Sequence, residues 1–102
     1  MKRTIIVQPE AQEDLSDIWI YGYRNFGEDQ ANLYNLKFDK IFSRLVSNEL
    51  GRRRYEIGNK VFSIPCGQHV IYYKTEINDI FIGRILHHSQ DTAAFIFDNQ
   101  LF

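Results

Sequence analysis

Apolar side chains follow two different spacings along this chain, and the change between them separates a helical half from a strand half. Through residues 9–47 they recur every three or four positions, which is typical of amphipathic helices. From Tyr55 onward they recur every second position, which is typical of half-buried strands. A β-branched triplet at residues 5–7 precedes both, so the pattern predicts one strand, two helices and three further strands.

The helical half is predicted to fold as a hairpin. Its first helix begins at Pro9, where a missing N–H costs nothing in the first turn, and it ends near Gly27 as the C-terminal cap. The second helix begins at Glu28 or Asp29 and continues to about Ser47. Because the connection between the two helices is so short, we expect them to pack antiparallel.

Both helices carry an apolar stripe that predicts which residues enter the core. On the first helix the stripe includes Trp19, which we expect to pack in the core. On the second helix Leu33 and Leu36 widen a stripe of six residues: Ala31, Tyr34, Phe38, Ile41, Phe42 and Leu45. Helices that are apolar over so wide a side need a sheet face to cover.

The strand half is predicted to form an antiparallel meander. Its three strands are Val61–Cys66, His69–Thr75 and residues 80–87, with turns at residues 67–68 and 78–79. Together with a strand at residues 4–8 they make a mainly antiparallel four-stranded sheet, and the helical hairpin packs on one face of it. The predicted fold class is therefore α+β in the order β-α-α-β-β-β, as a single domain over residues 1–102.

The composition argues against several classes of protein. With 102 residues and 44% apolar content the chain suits one modest core, and its formal charge of −1 lacks the basic footprint of a general nucleic-acid binder. It holds no run of about 18 apolar residues that would span a membrane, and its N-terminal apolar stretch is too short for a signal peptide. The single cysteine, Cys66, leaves no disulfide framework. We expect a soluble, cytoplasmic protein.

The densest group of chemistry-bearing residues comes at the end of the last strand and consists of Arg84, His87, His88 and Asp91. Polar groups at the end of a buried strand are costly unless they are paired or face a partner. We predict that His87 and Asp91 form a local pair that fixes the tail, which leaves Arg84 and His88 as candidate partner contacts. These residues lack a recognised metal-ligand spacing, so no metal and no cofactor is predicted.

Strand alternation decides which of these side chains share a face. It places Arg84 on the side of Ile82, and His87 on the side of Phe81, so the two polar groups diverge instead of converging as a catalytic pair. His69 and the tyrosines that follow it also invite a catalytic interpretation, but alternation along that strand favours packing.

Two further segments are candidates for contact with a partner. The basic run at residues 52–54 follows the second helix, where cations complement the helix dipole and remain available to an acidic partner. Residues 91–102 include five large apolar side chains: Phe95, Ile96, Phe97, Leu101 and Phe102. Either the sheet or helices of this chain cover them, or a partner does, and in that case Phe95, Phe97 and Phe102 contact the partner.

A series of residues spread over nearly the whole chain forms a recognisable pattern. They are Ala11, Asp14-Leu15-x-x-Ile18, Gly27-x-x-Gln30-Ala31, Tyr34, Gly51-Arg52, Phe62, His69-Val70-Ile71-Tyr72-Tyr73, Arg84-Ile85-Leu86-His87 and Asp91. This pattern resembles the ParE branch of the RelE/ParE toxin superfamily from bacterial type II toxin–antitoxin systems. Two departures are the segment at residues 48–50, where relatives often carry proline, and Gln90, where they commonly carry methionine.

The resemblance implies a toxin that a cognate antitoxin neutralises by wrapping it with an amphipathic C-terminal segment. ParE-like members are associated with inhibition of DNA gyrase, so gyrase is the expected target, and DNA is reached only indirectly through the antitoxin. The resemblance also implies that Arg52 contacts the sheet, which leaves Arg53 and Arg54 exposed as candidate partner contacts. Both a homodimer and a hetero-oligomer with the antitoxin are compatible with this assignment.

RelE-like members of the superfamily instead cleave messenger RNA on the ribosome, and the fold alone does not choose between the two activities. Cleavage needs a base, an acid and cations around the phosphate, which His87 or His88 and an arginine could supply. The chain lacks the terminal tyrosine or several lysines that ribosome-dependent relatives often carry, and its low charge suits ribosomal RNA poorly. We therefore expect a binding protein and no enzyme, with RNA cleavage, or antitoxin binding without toxicity, as the alternatives.

Overall fold

The chain forms a strand, two helices and four more strands in the computed structural model, which describes residues 2–90. The bounds in chain order are β1 Thr4–Val7, α1 Pro9–Phe26, α2 Glu28–Leu45, β2 Arg52–Arg53, β3 Val61–Cys66, β4 His69–Thr75 and β5 Asp79–His87. The strands make one sheet in the order β1-β5-β4-β3-β2, with β1 parallel to β5 and the other pairs antiparallel. The predicted α+β class and the helical hairpin on one face are confirmed. The described sheet has five strands instead of four, because Arg52 and Arg53 pair with β3.

A single residue, Gly27, joins the two helices. Its φ of 91° lies in the region that favours glycine, and its N–H donates to the Tyr23 carbonyl (3.1 Å) where α1 ends. The helices approach each other closely, because a Cβ added at Gly22 would lie only 3.3 Å from Ala31. In length and apolar content, neither described helix meets what a membrane crossing requires.

The core lies between the helices and the sheet face that they cover. The predicted stripe of α2 is confirmed, since all six of its members are buried or partly buried. All of them except Ala31 join or pack against a core cluster that includes seven residues of the sheet: Phe62, Cys66, Ile71, Tyr73, Ile80, Ile82 and Ile85.

Three residues predicted to pack in the core lie outside it. Leu33 and Leu36 are 56% and 48% exposed, because the helical turn places them outside the stripe of α2, with Leu36 on the opposite side of the helix. Trp19 is half-buried: its ring stacks on Tyr23 with 5.2 Å between centroids, and its Nε1–H donates to Asn32 Oδ1 (2.8 Å). Trp19 therefore packs between the helices, because its side of α1 turns toward α2 and not toward the sheet.

The connection from α2 to β2 is tied to the core through Tyr73. The Leu50 N–H donates to the Tyr73 hydroxyl (3.1 Å), and that hydroxyl donates to the Leu50 carbonyl. Burial raises the pKa of Tyr73 to about 12, so the phenol keeps its proton and its donor role at neutral pH. Gly51 follows at φ 85°, and a Cβ there would overlap the carbonyl oxygen of Ser63, so only glycine fits where β2 joins the sheet.

A bulge in β5 changes which side chains share a face. The pairing of β4 with β5 shifts by one residue, which leaves Gly83 out of register. A shift of one residue reverses the alternation of everything that follows it. Arg84 therefore lies on the face opposite Ile82, and the prediction that they share a side is wrong. His87 likewise lies opposite Phe81. Arg84 and His87 still diverge as predicted, with His87 on the face that carries the helices.

Candidate functional site

A groove of about 820 Å³ opens between the helical hairpin and the adjoining ends of β4 and β5. Six of its lining residues are large and apolar: Ile18, Tyr21, Phe26, Leu33, Tyr34 and Ile85. Tyr21, Phe26 and Leu33 keep 65%, 67% and 56% of their surface exposed. Apolar side chains grouped around a groove mark a surface that a partner can cover.

Tyr34 and His69 form the floor of the groove at its polar end. The Tyr34 hydroxyl lies 2.6 Å from His69 Nδ1 and accepts a hydrogen bond from the Gln68 N–H (2.8 Å). The same hydroxyl lies 3.4 Å from the Cys66 carbonyl, so it gives its one proton either to that oxygen or to Nδ1 of a neutral His69. Burial lowers the pKa of His69, as do the nearby His87 and His88, and this favours the neutral ring.

The predicted turn at residues 67–68 brings Tyr34 and the strand ends together. Gly67 has a φ of 59°, and a Cβ there would lie 2.7 Å from the Tyr34 hydroxyl oxygen. Glycine is thus needed both for the turn and for the approach of the tyrosine ring. Burial raises the pKa of Tyr34, so its hydroxyl stays protonated beside the turn.

The three histidines of the chain meet beside this floor, and we call them the histidine cluster (His69, His87 and His88). The centroid of the His87 ring lies 5.4 Å from that of His69 and 4.4 Å from that of His88. Gln68 holds His88, because its Oε1 lies 3.0 Å from His88 Nε2 and its carbonyl accepts the His88 N–H (2.9 Å). The sequence analysis assigned His69 to packing and missed its place here. The signal for it was the register, since His69 pairs with His87 across the two strands.

The segment after β5 holds the ring of His87. His87 Nδ1 lies 2.6 Å from Ser89 Oγ, and the His87 N–H donates to Gln90 Oε1 (2.6 Å). Ser89 was not singled out from the sequence. Asp91 lies outside the described residues, so the pair of His87 with Asp91 stays a prediction.

Asp14 of α1 binds the sheet at the point where β1 has ended. Its Oδ2 accepts from Arg84 Nε (2.8 Å) and from the Ile85 N–H (2.9 Å), and its Oδ1 accepts from the other arm of Arg84 (3.0 Å). The last bond from the β1 side joins the Gln8 N–H to the Ile82 carbonyl (3.0 Å), so β5 continues beyond its parallel neighbour. One carboxylate thus accepts from two nitrogens of the guanidinium and from an edge N–H of β5.

This ion pair is well sheltered, because the Arg84 and Asp14 side chains are 17% and 13% exposed. Hydrogen bonding to Asp14 raises the pKa of Arg84. Arg84 was predicted to contact a partner, and the structure places its guanidinium against α1. Asp14 also lines the groove. The pair therefore fixes the first helix above the groove floor.

The basic run at residues 52–54 lies at the opposite edge of the sheet. Arg54 binds Glu56, donates to Ser63 Oγ (3.1 Å) and is 20% exposed, while Arg52 is exposed. Arg52 belongs to the sheet through its pairing with Ser63, and the expectation that Arg54 stays exposed is wrong. The reason is that pairing continues past β2, with the Arg54 N–H bonded to β3, which lays the Arg54 side chain across the sheet. Arg53 is exposed, as predicted.

The structure brings some predicted site residues together and separates others. His87 and His88 join at the groove end, and Arg84 lies nearby through its bond to Asp14. Arg53 lies three strands away from β5, and the Arg54 guanidinium reaches as far as the Tyr72 ring of β4, on the face opposite His87. Phe95, Phe97 and Phe102 lie outside the described residues. Within residues 2–90, no group of three or more histidine, cysteine or carboxylate side chains is arranged to hold a metal ion.

Comparison with known proteins gives consistent results. A family model described as "ParE toxin of type II toxin-antitoxin system, parDE" matches residues 5–92. Toxin ParE1 of Mycobacterium tuberculosis is 30% identical over 93 residues, which is 89% of this chain and 95% of that protein. Toxin ParE1 of Caulobacter vibrioides is 25% identical over 87 residues, 84% of this chain and 90% of that protein. A solved structure of the "Chromosomal ParDE TA system from P. aeruginosa" shares the fold with a TM-score of 0.73 at 15% identity, covering 84% of this chain and 96% of that chain.

We expect Asp14→Asn to lower the free energy of unfolding by about 2 kcal/mol, because it leaves a sheltered guanidinium without its carboxylate. Urea unfolding at pH 7, followed by circular dichroism, measures this. Asp17→Asn is the matched control, since Asp17 is an exposed carboxylate on the same helix, and it should cost less than about 0.5 kcal/mol. Equal losses in the two variants would contradict the assigned role of Asp14.

From the histidine cluster we predict that the free energy of unfolding decreases as the pH is lowered from 7 to 5. The folded pKa of His69 lies below the unfolded value of about 6.5, so its contribution is present above that pH and is lost as the pH falls through and below it. Unfolding midpoints in urea at both pH values measure the change. His69→Asn, which does not titrate in this range, should show a smaller difference than the natural chain, and the exposed His88→Asn should keep most of it. An unchanged pH dependence in His69→Asn would contradict this account.

Proposed function

This chain belongs to the ParE toxin family of type II toxin–antitoxin systems, and from that premise we propose that it inhibits DNA gyrase by direct contact and that a cognate antitoxin neutralises it. It acts in the cytoplasm, where gyrase works. One observation carries the proposal: Asp14 and the histidines at the polar end of the groove are bonded within the chain, while Tyr21, Phe26 and Leu33 present exposed apolar surface along it. Such a surface suits binding to a protein.

The placement of charges supports binding over RNA cleavage. A nuclease needs its base, acid and cations around one phosphate. Here Asp14 binds the guanidinium of Arg84. Arg53 and Arg54 come from the edge of the sheet that lies away from His87. The groove is also lined by the exposed carboxylate of Asp17, which repels a phosphate backbone.

The groove suits an amphipathic helical segment of the antitoxin. Helices that bind in grooves insert apolar side chains spaced by three, four and seven residues. Tyr21, Phe26 and Leu33 offer the apolar wall for such a segment, and Lys37 offers a cation at the same surface for a carboxylate. Lys37 lies over the Tyr34 ring at 5.1 Å, which holds it beside the groove.

The remaining candidate residues divide into two roles in this proposal. Arg53 and His88 are exposed and would contact gyrase or the antitoxin directly. Arg54 and Arg84 would act mainly by positioning, because Glu56 and Asp14 hold their guanidinium groups. Phe95, Phe97 and Phe102 are further candidates for contact with a partner.

The purified chain should inhibit supercoiling of relaxed plasmid by gyrase and trap cleaved plasmid. Addition of the antitoxin should restore supercoiling. Agarose gels of the plasmid products measure both effects. Primer extension on transcripts from expressing cells tests for RNA cleavage. Unaffected gyrase, together with codon-positioned transcript ends that disappear in His87→Ala, would establish the nuclease alternative and overturn the proposal.

Leu33→Asp should weaken antitoxin binding by about 30-fold or more, because it places a charge on the apolar wall of the groove. Leu36→Asp is the matched control: it makes the same change on the same helix, at a residue of similar exposure that does not line the groove. Calorimetry of the purified pair gives both dissociation constants. Similar losses in the two variants would place the antitoxin elsewhere.

A further inference from the structure

The sheet has a second face, turned away from both helices, that is buried at its centre. Strand pairing places Tyr72 and Leu86 on this second face, since they alternate with the core residues Ile71 and Ile85. Tyr72 is 3% exposed and Leu86 is 2% exposed, although the described helices cover the other face. Side chains as buried as these contact other residues on every side. The second face therefore has a cover.

Arg54 supplies part of this cover. Its guanidinium lies 5.7 Å from the centroid of the Tyr72 ring and donates to Ser63 Oγ (3.1 Å), so it shields the side of the second face next to β2. Leu86 is in β5, three strands from β2 in the sheet order, or about 14 Å at the usual strand spacing. A guanidinium held over β3 and β4 does not account for the burial of Leu86.

We propose that residues 91–102 of the same chain fold back across the second face and that their apolar side chains cover Leu86 and Tyr72. This segment begins five residues after Leu86, at the end of the sheet that needs the cover. Twelve extended residues reach about 40 Å, and crossing from β5 to β3 takes about 10 Å, so the length is ample. The proposal does not depend on gyrase as the target.

The chemistry of residues 91–102 fits the second face. The segment offers five large apolar side chains to an apolar centre. It carries two carboxylates, Asp91 and Asp98, and no lysine or arginine. Beside Tyr72 the second face carries the cations Arg52 and Arg54, so the charges are complementary where the segment would cross.

A double-mutant comparison in the full chain tests this placement. The segment variant is Phe95→Ser with Phe97→Ser, and the face variant is Leu86→Ala. Phe42→Ala, which lies in the core on the helical face, is the matched control. The segment variant should lower the thermal unfolding midpoint by several degrees. In the segment variant, Leu86→Ala should lower the unfolding midpoint by about half as much as in the natural chain, or less, because contacting residues are coupled. Phe42→Ala should lower the midpoint equally in both backgrounds.

Four results would overturn the proposal. An unchanged midpoint in the segment variant would mean that the segment adds nothing to the fold, as expected if it only reaches toward a partner. Additive effects of Leu86→Ala, or coupling of the segment to Leu33→Asp in the groove, would place it elsewhere. A midpoint that rises with protein concentration would assign the cover to a second copy. Phe95→Leu with Phe97→Leu should retain most of the stability and shows that any loss comes from lost apolar surface.

Discussion

The geometry of this protein depends on one carboxylate, that of Asp14, which completes an edge of the sheet that the backbone leaves open. The four residues of β1 cannot cover the nine residues of β5, so the second half of β5 faces a helix instead of a strand. Asp14 meets that need with bonds to Arg84 and to the Ile85 N–H. The same bonds fix α1 over the end of the sheet, and the groove is the space that remains between them. A positioning contact thus creates the groove.

The pattern of apolar residues predicted the bounds of the helices and strands closely, and it predicted their register and side-chain contacts less well. The bounds of β3 and β4 and the hairpin around Gly27 follow from local spacing and turn chemistry, which the sequence displays directly. The bulge at Gly83 and the bond between Asp14 and Arg84 do not, because a register shift depends on the partner strand and the bond joins residues 70 positions apart. The wrong prediction for the exposure of Arg54 has the same origin, because it depends on the short pairing of β2 with β3, which no local pattern predicts.

The failures of the core prediction are informative about function. Helical spacing reports that an apolar side chain is covered by something, without saying whether the cover belongs to the same chain. Leu33 was predicted to widen the core stripe, and it lies on the wall of the groove, more than half exposed. Trp19 packs against the neighbouring helix, whereas Leu33 stays exposed. A member of a toxin–antitoxin family has a reason to keep such a residue, because its partner is a second protein.

The polar floor of the groove separates two activities that one scaffold can host. A histidine acts as a base or an acid when its nitrogen faces a substrate, and it acts as structure when a neighbour holds that nitrogen. His69 faces the Tyr34 hydroxyl and His87 faces Ser89, so each ring has a nitrogen committed within the chain. Catalysis through the other nitrogen, Nε2, would require the cations to move toward the same point. Binding requires no such change. The groove is already open, and its apolar wall gains by being covered.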